Sequence, residues 1–192
     1  YTTRGPTPDT SKLYRNLGAG KFEDVSTQVG SMGLIEGSSF VAPMFDFDGD
    51  SIADLFITQE FGFSILRNLM YQNLGVSEDE HWVSWQSRSG SNDLRYPHSV
   101  MGAALLDLNL DLLPDIFMTN LIYDAPYREV LLLSQGEFRF QDVTDLFNAN
   151  GMRLDPENHL YRTTGWATLQ FDYDNDGDED LYTTYGAMPT DT

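Results

Sequence analysis

Three stretches of the chain share one order of apolar and polar positions. Each opens with an apolar, small-residue run: "FVAPMF" ending at Phe45, "MGAALL" ending at Leu106 and "WATLQF" ending at Phe171. An acidic segment follows, and it closes on Leu or Ile, an aromatic, one further residue and Thr: "DLFIT", "DIFMT" and "DLYTT". Short runs rich in β-branched and aromatic residues read as strands rather than helices. Each acidic segment therefore joins two consecutive strands.

Two other segments read as strand, glycine-containing hairpin, strand. They are "KLYRNLGAGKFEDVS" (12–26) and "EVLLLSQGEFRFQDVT" (129–144), the second turning at Gly136, and both close on Phe-x-Asp-Val-Ser/Thr. Between the first two acidic segments the counterpart is degraded. "SILRNLMYQNLG" (64–75) keeps a Leu-Arg-Asn-Leu echo of residues 13–17, and Arg15 and Arg67, each before Asn, read as structural positions of the pattern. Residues 76–99 read as an insertion or long surface loop, and 148–162 as a second irregular stretch.

The unit is thus strand, acidic loop, strand, hairpin, and its first acids lie 61 and 65 residues apart. Four-stranded units at this period suggest propeller blades. The expected fold is all-β: β-propeller-type blades of four antiparallel strands, with an acidic loop between the first two strands of each. Along the chain this gives an outer hairpin at 12–26, a first repeat over 38–97 with its inserted loop at 76–99, a second repeat over 98–147, and the inner half of a third over 162–188.

Numbered from the first acid, positions 1, 3, 5 and 9 of the loops are Asp46, Asp48, Asp50 and Asp54; Asp107, Asn109, Asp111 and Asp115; and Asp172, Asp174, Asp176 and Asp180. Eleven of the twelve are Asp and the twelfth is another oxygen donor, a coincidence that chance does not place three times in one frame. Hard oxygen ligands on a flexible turn suit Ca²⁺, which takes six to eight of them at about 2.3–2.6 Å. The carbonyl at position 7 (Ile52, Leu113, Asp178) and water would complete the shell. Magnesium demands stricter octahedral geometry, and zinc or copper would favour His or Cys, which the loops lack. An EF-hand needs a bidentate Glu at position 12, where this chain has Ile57, Met118 and Thr183, and it needs flanking helices.

The D-x-[DN]-x-D-x-x-x-D-[LI] loops between strands resemble the FG-GAP (VCBS-type) repeats of integrin α-subunit propellers. "LYRNLGAGKFEDVS" and "GWATLQFDYDNDGDEDLYTTYG" are similar to the bacterial and cartilage-acidic-protein branch of that group. The resemblance covers residues 12–75 and 98–188. It implies an extracellular or cell-surface propeller with a Ca²⁺ in each acidic loop, used for adhesion or scaffolding, with a protein or carbohydrate ligand at the cell surface or matrix. Position 6, often Gly in such loops, is Gly177 in the third but Ser51 and Leu112 in the others; Gly49 keeps position 4 of the first. The middle loop has no Gly, so its site is expected to be the weakest or to hold its turn by packing.

Composition narrows the partners. A net charge of −19 argues against nucleic acid and anionic membrane, and points towards cations or basic surfaces. No apolar run reaches the length of a membrane span. Cysteine is absent, which removes disulfides, Cys zinc sites and thiol nucleophiles. His81, His98 and His159 fall in irregular segments, without H-E-x-x-H or a G-x-S-x-G elbow, so no catalytic residue is assigned. The enzymatic alternative is a propeller-fold polysaccharide lyase or hydrolase. Trp82, Trp85 and Tyr96 read as caps of a blade core before they read as a ligand platform. The chain starts at a tyrosine, as a processed chain or part of a longer one would. Its pattern opens with an outer hairpin and closes with an inner pair of strands, so exchange of hairpin 12–26 between subunits, into a ring or fibril, is a further expectation.

Overall fold

The computed structural model describes residues 11–29, 39–59, 67–76, 83–90, 94, 99–121, 128–151 and 164–186. The described chain is all-β and antiparallel, with one turn of 3-10 helix at Ser26–Gln28. The strands are β1 (Tyr14–Gly18), β2 (Lys21–Asp24), β3 (Met44–Phe45), β4 (Asp54–Ile57), β5 (Leu69–Val76) and β6 (Val83–Ser87). They continue as β7 (Val100–Leu106), β8 (Asp115–Asn120), β9 (Val130–Ser134), β10 (Phe140–Asp142), β11 (Thr164–Phe171) and β12 (Asp180–Gly186). Two four-stranded sheets, β3-β4-β5-β6 and β7-β8-β9-β10, are flanked in sequence by the two-stranded sheets β1-β2 and β11-β12. His81, His98, His159, Trp82 and Tyr96 lie outside the described residues.

Both faces of the full sheets are apolar because each packs on a neighbour. Odd and even residues of a strand point to opposite faces. In β4 and β5, Phe56 and Met70 join Ile116, Met118, Val130 and Leu132 of the next sheet in one core cluster, which Phe47, Phe138 and Phe140 complete. Their neighbours Leu55, Ile57, Leu69 and Tyr71 face the other way, onto Leu13 and Val29 beside the β1-β2 hairpin. In the second sheet, Phe117, Leu131 and Val143 pack towards Leu181 of β12. The order of layers is therefore hairpin, sheet, sheet, hairpin. Double-sided burial explains why β8 is buried at all six positions and why Ile116, Phe117 and Met118 at its centre are apolar on both faces.

Strand β6 lies inside the stretch that the sequence presents as an insertion. Its pairs with β5, from Tyr71↔Ser87 to Val76↔Val83, give the first sheet its fourth strand. The sequence echo is also displaced from Leu66–Leu69. The hydrogen bonds align "LYRNLG" (13–18) with "MYQNLG" (70–75), so Arg15 corresponds to Gln72. Gly18 donates its N–H to Asn16 Oδ1 at 2.8 Å, and Gly75 to Asn73 Oδ1 at 2.9 Å. In β9 the same bond runs from Gly136 to Ser134 Oγ at 3.3 Å. All three glycines have positive φ, between 72° and 83°, where a side chain would be strained.

The hairpins close alike. Thr144 Oγ1 accepts Leu131 N–H at 2.8 Å and donates to Asp142 at 2.6 Å; Ser26 Oγ does the same with Leu13 N–H, at 2.9 Å, and Asp24, at 2.6 Å. In the first full sheet Ser89 takes this position, accepting Met70 N–H at 2.9 Å, with Ser87 and Arg88 standing where the other two have Asp and Val. That substitution hid β6 from the sequence pattern. Arg88 reaches over the Phe138 ring at 5.6 Å, across the interface between the full sheets. Where β7 meets β11, Gly102 is obligatory for space: a Cβ there would lie 2.6 Å from the Trp166 carbonyl.

Candidate metal centres

Each acidic loop is wound around its first carboxylate. Asp46 accepts N–H bonds from Gly49 (2.7 Å), Asp50 (3.1 Å) and Ser51 (2.7 Å). Asp107 accepts them from Asp111 (3.0 Å) and Leu112 (2.9 Å), and Asp172 from Asp176 (3.1 Å) and Gly177 (3.0 Å). The carboxylate at position 5 then takes the N–H of position 7: Ile52 on Asp50 (2.7 Å), Leu113 on Asp111 (2.9 Å), Asp178 on Asp176 (3.0 Å). These bonds bring Asp46, Asp48 and Asp50 together, and likewise Asp172, Asp174 and Asp176, each residue offering an oxygen within 4.8 Å of the others. Two clusters are thus able to hold a metal ion. In the middle loop Asn109 replaces one acid, and its amide donates to Asp111 Oδ2 at 2.9 Å.

Winding the chain this tightly requires left-handed backbone at positions 4 and 6 of every loop. Those residues are Gly49 and Ser51, Leu110 and Leu112, Asn175 and Gly177, with φ from 59° to 96°. For a leucine this conformation costs roughly 1 kcal/mol. Packing does not offset it, because Leu110 and Leu112 are 73% and 85% exposed. The middle turn is held instead by the Asp107 and Asp111 carboxylates, and from the next loop by Glu179, which accepts Asp107 N–H at 2.8 Å. Glu179 is thus engaged across two loops, although it is exposed as Asp178 is.

Position 9 has a different task. Asp54 and Asp115 are fully buried, and each spends both oxygens on backbone. One oxygen takes the N–H of position 2: Phe47 at 2.9 Å and Leu108 at 2.8 Å. The other takes the N–H of the third strand: Asn73 at 2.8 Å and Ser134 at 2.7 Å. Asp180 makes the first of these bonds, with Tyr173 N–H at 2.9 Å. In the first two loops this carboxylate ties the loop to the third strand of its sheet.

Burial pushes the Asp54 and Asp115 carboxyls above the ordinary aspartate range; the two N–H bonds on each pull back, and acids within their own loops push further up. Asp48 is raised as well, first by burial and then by the charges of Asp50 and Asp46, against the pull of Asp50 N–H and Gln72. The first cluster is therefore short of positive charge, which is what a cation would supply. The donor set is all oxygen, the kind that suits Ca²⁺. Sequence reasoning missed Gln72, whose amide donates to Asp48 and whose carbonyl holds Arg88 Nε at 3.0 Å. A polar residue inside an apolar strand was the available signal. No protein-family model matches the chain, and no curated protein matches it.

Proposed function

We propose that the chain is a calcium-binding repeat module of the FG-GAP/VCBS kind, built as propeller blades, that works outside the cell in adhesion, scaffolding or assembly. The observation that carries this reading is the common winding of the three loops, two of which gather three carboxylates within 4.8 Å. The blade reading is supported by the stacking of consecutive sheets face to face. It is supported too by one cleft of about 480 Å³ lined by residues of the first strand of three successive units, Met44, Leu105 and Gln170 among them. No helix among the described residues is long and apolar enough to cross a membrane.

Calcium would sit on positions 1, 3 and 5 of the first and third loops, with Asp107, Asn109 and Asp111 the weakest set. Its contribution is charge compensation that makes each turn rigid. At about 1 mM Ca²⁺ and a Kd on the order of 10⁻⁴ M, each site adds about 1.4 kcal/mol of stability. Calorimetric titration of the chelated chain should show at least two calcium sites, and millimolar Ca²⁺ should raise the Tm by several degrees where Mg²⁺ does not. An unchanged Tm, or no heat of binding, would sink the metal reading.

A further inference from the structure

We infer that Gln72, held by Arg88, is the positioning residue of the first acidic loop, turning Asp48 towards a cation bound by Asp46, Asp48 and Asp50. The inference rests on the calcium reading of that loop. Gln72 lies on β5, outside the loop, and its amide Nε2 donates to Asp48 Oδ2. Its carbonyl Oε1 accepts from Arg88 Nε at 3.0 Å and from Arg88 Nη2. The two neighbours fix which way the amide points. A guanidinium only donates and a carboxylate only accepts, so Oε1 must face Arg88 and Nε2 must face Asp48. Reversed, the amide would set donor against donor and acceptor against acceptor.

Arg88 is itself anchored. Its backbone N–H donates to the Met70 carbonyl at 2.8 Å, and its guanidinium lies over the Phe138 ring, 5.6 Å from the centroid. Phe138 is buried in the core that the two full sheets share. Asp48 keeps room for a cation under this hold. Its Oδ1 takes Asp50 N–H at 3.2 Å and its Oδ2 takes the Gln72 amide, which uses two of the about four acceptor positions of a carboxylate. Ligating carboxylates are fixed by outer hydrogen bonds of this kind, and losing one typically costs about 10–100-fold in metal affinity.

The second sheet supplies the comparison. Leu55 pairs with Tyr71 as Ile116 pairs with Leu132, which makes Leu133 the counterpart of Gln72. Ser89 and Thr144 accept the matching third-strand N–H groups, of Met70 and Leu131, which makes Val143 the counterpart of Arg88. The two polar residues of the first sheet are therefore both apolar in the second, where Leu133 and Val143 belong to one core cluster. They change as a pair, and the loop changes with them. Beside the apolar pair, position 3 is Asn109, which carries its own amide donor and bonds Asp111 Oδ2 at 2.9 Å. The loop with a carboxylate at position 3 is the one that receives an amide from the sheet.

Calorimetric calcium titration of the chelated chain, with the β-sheet circular dichroism spectrum of each variant checked, tests the inference. Gln72→Met, close in size but without donor or acceptor, should weaken one site about 10–100-fold and leave the others unchanged. Gln72→Leu, which installs the residue type of the second sheet, should do the same. Arg88→Met should weaken the same site by less, and adding it to Gln72→Met should weaken that site no further. In an Asp48→Asn background Gln72→Met should change nothing, which assigns the effect to the first loop. Wild-type affinity at every site in both Gln72 variants overturns the inference and leaves the metal reading standing. An equal loss at all sites also overturns it, because that marks a general structural role. So does a gain in affinity, or a recovery in the double variant, either of which makes the amide or Arg88 a competitor of the cation. A wild-type chain that binds no calcium overturns both.

Discussion

Asp115 carries two roles that its residue type permits and no other small side chain does. It is charged, so it can sit near a cation, and it has two oxygens, so it can tie Leu108 N–H and Ser134 N–H at once. An amide keeps only one good acceptor. Replacing a fully buried double acceptor by Ala leaves two N–H groups without partners and opens a cavity. Asp115→Ala should therefore lose roughly 3 kcal/mol, read from urea unfolding without calcium, and Asp115→Asn about half as much. An unchanged midpoint would show that water replaces the carboxylate freely. The exposed Asp111, by contrast, holds a surface turn, and its loss should register in metal binding before stability.

At the scale of the elements, what decides stability is which strands are covered on both faces. Ile116 and Leu169 are similar aliphatic residues on comparable strands. Ile116 is fully buried between the two full sheets, while Leu169 of β11 is 51% exposed. Ile116→Ala should cost about 2–5 kcal/mol, and Leu169→Ala under about 1 kcal/mol, measured by denaturant titration. A similar loss for both would mean that β11 is covered as completely as β8. The same logic accounts for Gly102, which lets β7 approach β11, and for Ser89 and Thr144, whose hydroxyls finish a ladder that backbone groups leave incomplete.

Across the whole molecule, uncompensated negative charge weighs most, −19 in all, and the half-buried Asp48 and the buried Asp54 and Asp115 carboxyls are held above the ordinary aspartate range. Asp48, Asp54 and Asp115 bind protons more readily in the folded chain than in the unfolded one. Their contribution to stability is therefore full at low pH and is lost as pH rises through their raised values. Asp24 works in the other direction. Ser26 and Lys12 hold its carboxyl at about 2, so its contribution is present above the usual aspartate value and disappears as pH falls towards 2. Without metal, the Tm should rise as pH is lowered through the raised values of these carboxyls towards the ordinary aspartate range, and in millimolar Ca²⁺ that rise should disappear, because the cation replaces the protons. A chelated protein whose Tm falls over this interval would contradict the assignment of these three carboxyls.

The all-β class and the grouping of Asp46, Asp48 and Asp50, and of Asp172, Asp174 and Asp176, were legible in the chain. Both rest on local rules: alternation and β-branched runs for strands, and closely spaced acids whose side chains fold onto the amides a few residues ahead. Strand β6 was not legible, because Ser87, Arg88 and Ser89 replace the Asp-Val-Thr ending, and only pairing with β5 makes them equivalent. Nor was the divided role of position 9, since a carboxylate that reaches a third strand 19 residues away, from Asp54 to Asn73, looks in sequence like any other acid of its loop. Local hydrogen bonds are written in residue spacing. Which face, which strand and which carboxylate oxygen meets a distant amide is settled by the stacking of sheets, and that exists only in the folded chain.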